Sequence, residues 1–165
     1  MIDWEVRQAT LYDIPRIQAL TEMHKGDEMP YTLSSSLTAA FLGDILVVED
    51  SLTGEIGCFE HIIQAPFDVK DRVFLKGIKQ FPYIDQVKWG ELVNCCQSAG
   101  LGKGSHRAMY RFQKENWPVI WTWISVRSVL WPVLKDEGWK IVGEDKFFNI
   151  WKGAESTFLL GKWEA

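Results

Sequence analysis

Apolar and polar residues alternate from Trp4 to Ala9, which predicts a first strand over 4–9. The spacing then lengthens. Ile14, Ile17, Leu20 and His24 recur at helical intervals, so 9–25 reads as a helix that Gly26 stops. Thr10 or Asp13 can cap it, and Pro15 falls in the first turn, where its missing N–H is tolerated. SSSLTAAFL, 34–42, predicts a second short helix. ILVVED, 45–50, and EIGCFEHIIQ, 55–64, read as strands, and the Thr53-Gly54 turn between them makes a hairpin. Residues 65–87 keep no period and read as an irregular insertion with one helical turn near 74–80. KWGELVNCC, 88–96, predicts a strand. A glycine-rich stretch follows, then a helix from about 103 to 116. PVIWTWIS, 118–125, is bulky on both faces, as a central strand would be. SVLWPVLKDEG, 128–138, predicts a helix capped by Ser128, with Pro132 in its first turn and Gly138 as its stop. Two strands, 139–151 and 156–163, close the chain as an antiparallel pair. The order β α α β β β α β α β β predicts one mixed α/β or α+β domain over 1–165.

Length agrees: 165 residues fit one domain, and 47% hydrophobic residues supply a sizeable core. No run is long enough for a transmembrane helix, and MIDWEVRQAT is not a secretory signal, so no membrane partner is expected. Cys58, Cys95 and Cys96 are odd in number and two are adjacent, which predicts reduced, buried thiols and a cytoplasmic setting. No spaced Cys/His set suggests a metal. A net charge of -4 argues against non-specific phosphate attraction as the main mode of action. The nine tryptophans read first as core and partner-facing bulk, and second as stacking platforms for an aromatic substrate or nucleobase. In the insertion, Lys70, Arg72, Lys76 and Lys79 mix with Asp68, Asp71 and Asp85, as in a solvated loop or a substrate lid.

The chemistry concentrates in QSAGLGKGS, Gln97 to Ser105. A Walker loop fails, because Gly104 follows Gly102-Lys103 and Gln97 stands where the first glycine belongs. A dinucleotide fingerprint fails, because Ser105 takes the third glycine's place late in the chain. What remains is Gln-x-x-Gly-x-Gly between a strand and a helix. Glycines admit close backbone approach, and N–H groups at a helix start form an anion site for which a diphosphate is a natural guest. Lys103 adds charge, and Ser105 can donate a hydrogen bond.

This loop resembles the acyl-CoA-binding motif of the GNAT acetyltransferase superfamily, Gln/Arg-x-x-Gly-x-Gly/Ala. VRQATLYDIPRIQAL is similar to that family's first strand and helix, ILVVED with GEIGCF to its second and third strands, and SVRSVLWPVLKDEGWKIV to its last helix, here ending in Gly138-Trp139. The resemblance implies a mixed, mostly antiparallel sheet of six to seven strands, with helices on both faces and a splay between strands 4 and 5. It implies acetyl-CoA as acyl donor to an amine that attacks directly. The diphosphate would lie on the N–H groups of Leu101, Gly102, Lys103, Gly104 and Ser105, after Gln97 and Gly100. The pantetheine arm would pair with Leu92, Val93, Asn94, Cys95 and Cys96. A base takes the amine's proton, a backbone N–H steadies the oxyanion, and an acid protonates the thiolate.

For the base, the resemblance favours Glu91 on the fourth strand; Glu60 and His61 on the third come next, and only one of these neighbours can face the site. Each also reads as an ordinary strand charge. The family's general-acid Tyr, four residues before the last helix's glycine, is Leu134 here, and Arg127 and Ser128 replace its Asn. Ser125, Tyr110 or water could serve as acid. A covalent role for Cys95 or Cys96 lacks a nearby His. Glu28 and Tyr31, beside Asp27, could meet a cationic acceptor, whether small molecule, protein or nucleic-acid base, and a homodimer is open. The Trp-rich second half and the missing acid also resemble phage-type members of the superfamily, in which transfer is diverted to nucleic-acid modification or lost in favour of a binding or virion role.

Overall fold

The computed structural model describes residues 1–23, 45–64, 92–149 and 153–165; the helix expected over 34–42 and the insertion over 65–87 lie outside the described residues. Strand β1 (Trp4–Gln8) leads through a 3-10 turn (Leu11–Asp13) into α1 (Ile14–Met23). Then come β2 (Ile45–Asp50), β3 (Ile56–Gln64), β4 (Leu92–Gly100), α2 (Ser105–Asn116), β5 (Val119–Ser125), α3 (Trp131–Asp136), β6 (Lys140–Asn149) and β7 (Ala154–Glu164). Among the described residues seven strands form one sheet in the order β1-β2-β3-β4-β5-β7-β6. Every neighbouring pair is antiparallel except β4 and β5. Among the described residues no helix is long and apolar enough to cross a membrane.

Alternation along β2 and β3 explains why both faces are covered. Ile45, Val47 and Phe59 pack with Ile14, Ile17 and Leu20 of α1. Val48 and Cys58 point the other way, onto Met109 of α2. The entry to α1 is a capping box, in which Thr10 N–H and hydroxyl both donate to Asp13 Oδ2, at 2.8 and 3.1 Å. Arg7 holds the same carboxylate with two bonds of 2.8 and 2.9 Å, tying α1 to β1.

The last helix is shorter than the sequence pattern predicts. Ser128 Oγ accepts the Leu130 N–H at 3.2 Å, which keeps 128–130 in a turn, and the helix begins only beside Pro132. It ends in a Schellman motif. Trp139 N–H donates to Leu134 C=O, and Gly138 N–H to Lys135 C=O, both at 3.0 Å, with Gly138 at φ +89°. The apolar contact that accompanies such a cap is Leu134 with Trp139, inside a cluster that also holds Tyr110, Ile120, Ile124 and Trp131.

Candidate functional site

Among the described residues β4 and β5 pair only at Leu92↔Ile120, Val93↔Trp121 and Asn94↔Thr122, although β4 runs on to Gly100 and β5 to Ser125. The cause lies on the other edge of β4. Against β3 its register jumps twice: Glu60 faces Ser98 but His61 faces Cys96, and Ile63 then faces Val93. Each jump places an extra β4 residue against β3, and such bulges bend and over-twist a strand. The bent strand leaves β5, and a wedge opens between them. Two expectations change. Leu92, Val93 and Asn94 are committed to β5, so the open main-chain edge begins at Cys95 rather than Leu92. Gln97 to Gly100, expected in a loop, are the last residues of β4, extended because they still pair with β3.

The turn that follows is short and left-handed. Gly102, Lys103 and Gly104 have φ of +78°, +58° and +86°. Glycine adopts this conformation freely, whereas lysine does so at a cost of about 1–2 kcal/mol. Leu101 N–H donates to Gly57 C=O at 2.8 Å, and Ser105 N–H returns to Gly102 C=O at 3.2 Å. Among the described residues, the N–H groups of Gly102, Lys103 and Gly104 enter no backbone hydrogen bond. A Cβ built on Gly102 or Gly104 would meet nothing within 4 Å. These three consecutive N–H groups stand at the start of a twelve-residue helix, beside open space, an arrangement of the kind that can accept an anion. Ser105 takes a different part from the one expected. It is fully buried, and its hydroxyl lies 3.1 Å from Gly57 C=O and 3.0 Å from Gly102 C=O, so it holds the turn from beneath.

Gly57 is what lets α2 sit so close. A Cβ there would lie 2.5 Å from Trp4 Cη2 and 2.7 Å from Ser105 Cβ. Gly57→Ala must therefore push β1 or the head of α2 away, and should cost about 2 kcal/mol of stability, read from the urea midpoint. An unchanged midpoint would contradict this packing.

The catalytic candidates separate by face. Glu60 is fully buried and points at α2, where Gln113 Nε2 donates to its Oε2. Burial pushes its carboxyl up to about 8, the Gln113 bond pulling the other way. The structure therefore places Glu60 as a buried group beneath α2. Beside it, burial also pushes the Cys58 thiol up, leaving an inert side chain. His61, the next residue, is buried on the opposite, α1 face with Phe59. Its backbone partner is Cys96, at the start of the open edge. On β5, Ile120 and Ile124 face α2 and α3, so Ser125 also points to the α1 face. Ser125 is buried beyond the last β4 pairing, and its Oγ accepts Arg127 N–H at 3.3 Å. Tyr110 is buried in the tryptophan cluster, edge-on to Trp139 with ring centroids 5.8 Å apart. Glu91, Glu28 and Tyr31 lie outside the described residues.

α2 and the end of α3 are tied together by Glu137, which Arg107 meets at 2.9 Å and Lys114 at 2.6 Å. Sequence reasoning missed Gln113, Trp4 and Gly57. Only Gly57 carried a signal, as a glycine inside a strand marks a close approach.

No protein-family model matches the sequence, and no curated protein matches it. Solved structures resemble it over nearly its whole length. A GCN5-related N-acetyltransferase from Kribbella flavida matches with a TM-score of 0.65 at 13% identity, covering 98% of both chains. The C-terminal condensation domain of Ebony, solved with beta-alanyl-dopamine, matches with a TM-score of 0.63 at 15% identity over 100% of both chains. The protein yncA from Salmonella typhimurium, solved with its cofactor acetyl-CoA, matches with a TM-score of 0.63 at 11% identity, covering 98% of this chain and 93% of that one. The chain has the fold of the GNAT N-acetyltransferases, as its mixed sheet, splayed at β4 and β5, had suggested.

Proposed function

We propose that this protein is an acyl-CoA-dependent N-acyltransferase that moves an acetyl group from acetyl-CoA to an amine by direct attack. One observation carries the reading: in the left-handed Gly102–Lys103–Gly104 turn at the head of α2, three N–H groups enter no backbone hydrogen bond among the described residues, and they follow the stretch of β4 that no longer pairs with β5 there. That edge and that turn suit a ligand with an extended amide arm joined to a diphosphate. The donor would supply an activated thioester. The chain's own groups would do the rest. Lys103 and Gly104 N–H would hold the diphosphate, with Lys103 as a point charge. The main chain from Cys95 to Gly100 would bind the arm as a strand and offer an N–H to the developing oxyanion. His61, on the α1 face beside this edge, would take the ammonium proton, and Ser125 stands on the opposite wall as the candidate acid.

Leu134 supports a second reading, in which the donor binds and transfer is diverted or lost. It fills the place of the family's acid with a fully buried aliphatic side chain, packed under Trp139. Titration calorimetry with acetyl-CoA, followed by thiol release against a panel of small amines, basic peptides and nucleobases, separates the two. Binding with amine-dependent thiol release is expected. Binding without release would favour the second reading, and no binding at millimolar acetyl-CoA would remove both.

A further inference from the structure

The left-handed turn is held by an aromatic residue from the far edge of the sheet. Trp4 lies on β1, three strands from β4. Its six-membered ring crosses Gly57, and its Nε1–H donates to Lys103 C=O at 3.0 Å. In a trans peptide the C=O and the following N–H point in opposite directions. Drawing the Lys103 carbonyl inward to the indole therefore turns the Gly104 N–H outward. The preceding peptide is treated alike: Ser105 Oγ and N–H draw in Gly102 C=O, at 3.0 and 3.2 Å, which turns the Lys103 N–H outward. Lys103 adopts the left-handed conformation without being glycine, so something must offset its cost, and the indole bond is placed to do so.

We propose that Trp4 is a positioning residue for the donor site: its indole N–H sets the direction of the Gly104 N–H and thereby the affinity for a diphosphate. This inference rests on the N-acyltransferase reading and adds a residue to it. Trp4 touches no reacting atom. It acts through the Lys103 carbonyl, and its effect must follow the diphosphate and not the acyl group.

The experiment compares the unaltered protein with one carrying 3-benzothienylalanine at position 4, which keeps both rings, and so the contact over Gly57, and lacks only the N–H. Acetyl-CoA is set beside acetyl-pantetheine, which has the same thioester and no diphosphate. Loss of one well-aligned bond predicts a rise in Kd or KM for acetyl-CoA of roughly 5- to 15-fold, with the acetyl-pantetheine KM and the acceptor KM essentially unchanged. Trp4→Phe is the second variant: it lacks the donor and also the outer ring over Gly57, so it should show the same loss for acetyl-CoA with a further loss of stability. Unchanged acetyl-CoA affinity, or equal weakening for both thioesters, overturns the assignment. If the unaltered protein binds no CoA, the parent reading falls and this one with it. If both proteins bind CoA equally, only the role of Trp4 falls.

Discussion

Gly102→Glu should weaken CoA binding by at least about 100-fold, because it acts on the turn twice. The position has φ +78°, so any side chain meets the left-handed penalty, and the turn relaxes away from the geometry that directs its N–H groups outward. The added carboxylate also enters the open space where an anion would lie, and like charges repel there. Titration calorimetry with CoA reads the effect. Gly153→Glu is the control, for Gly153 has φ +61° and nothing within 4 Å of an added Cβ, but lies in the turn between β6 and β7. It should lose stability to a similar degree and keep CoA affinity. Equal CoA affinity in Gly102→Glu and the unaltered protein would show that the turn is no donor site.

Glu60→Gln should remove a steep dependence of stability on pH. In the unfolded chain this carboxyl ionises near its ordinary value of 4.5, and in the fold burial holds the proton to about 8. A group whose folded pKa is raised contributes stability that is full below the unfolded value and is lost as pH rises through the folded one. Between pH 5 and pH 8 the unaltered protein should therefore lose roughly 3 kcal/mol at this site. Glutamine keeps the shape and a hydrogen bond to Gln113 and cannot ionise. The variant should thus gain on the unaltered protein steadily between those limits. Urea midpoints at pH 5 and pH 8 for both proteins measure it. Parallel slopes would mean that Glu60 is solvated or already charged in the fold.

Several elements were legible because local chemistry and packing agree. The β2–β3 hairpin announced itself through two largely apolar strand-like runs around Thr53-Gly54, and Gly54 does take φ +70°. The stop at Gly138 was readable because the cap needs a residue free to turn left-handed. The start of α3 was misplaced because the Ser128 hydroxyl supports a turn as readily as a cap. The catalytic candidates were less legible. In CFEHII, Glu60 and His61 are two polar residues in one apolar strand, and alternation says that they face opposite ways without saying which way is which. Only the docking of α2, with Gln113 on its inward stripe, seals Glu60 away and leaves His61 on the α1 face.

The sequence by itself determined the class of the fold and the place of the glycine-rich strand-to-helix turn, since periodicity, caps and such a junction are local properties of the chain. It did not determine where the sheet opens. The wedge depends on which β4 residues oppose which β3 residues, and a bulge shifts that register without leaving a mark in residue type. Nor did it show that a tryptophan at position 4 steadies a turn at position 103. That contact joins residues distant along the chain. It exists only because the sheet brings β1, β3 and the head of α2 together around a glycine that leaves them room.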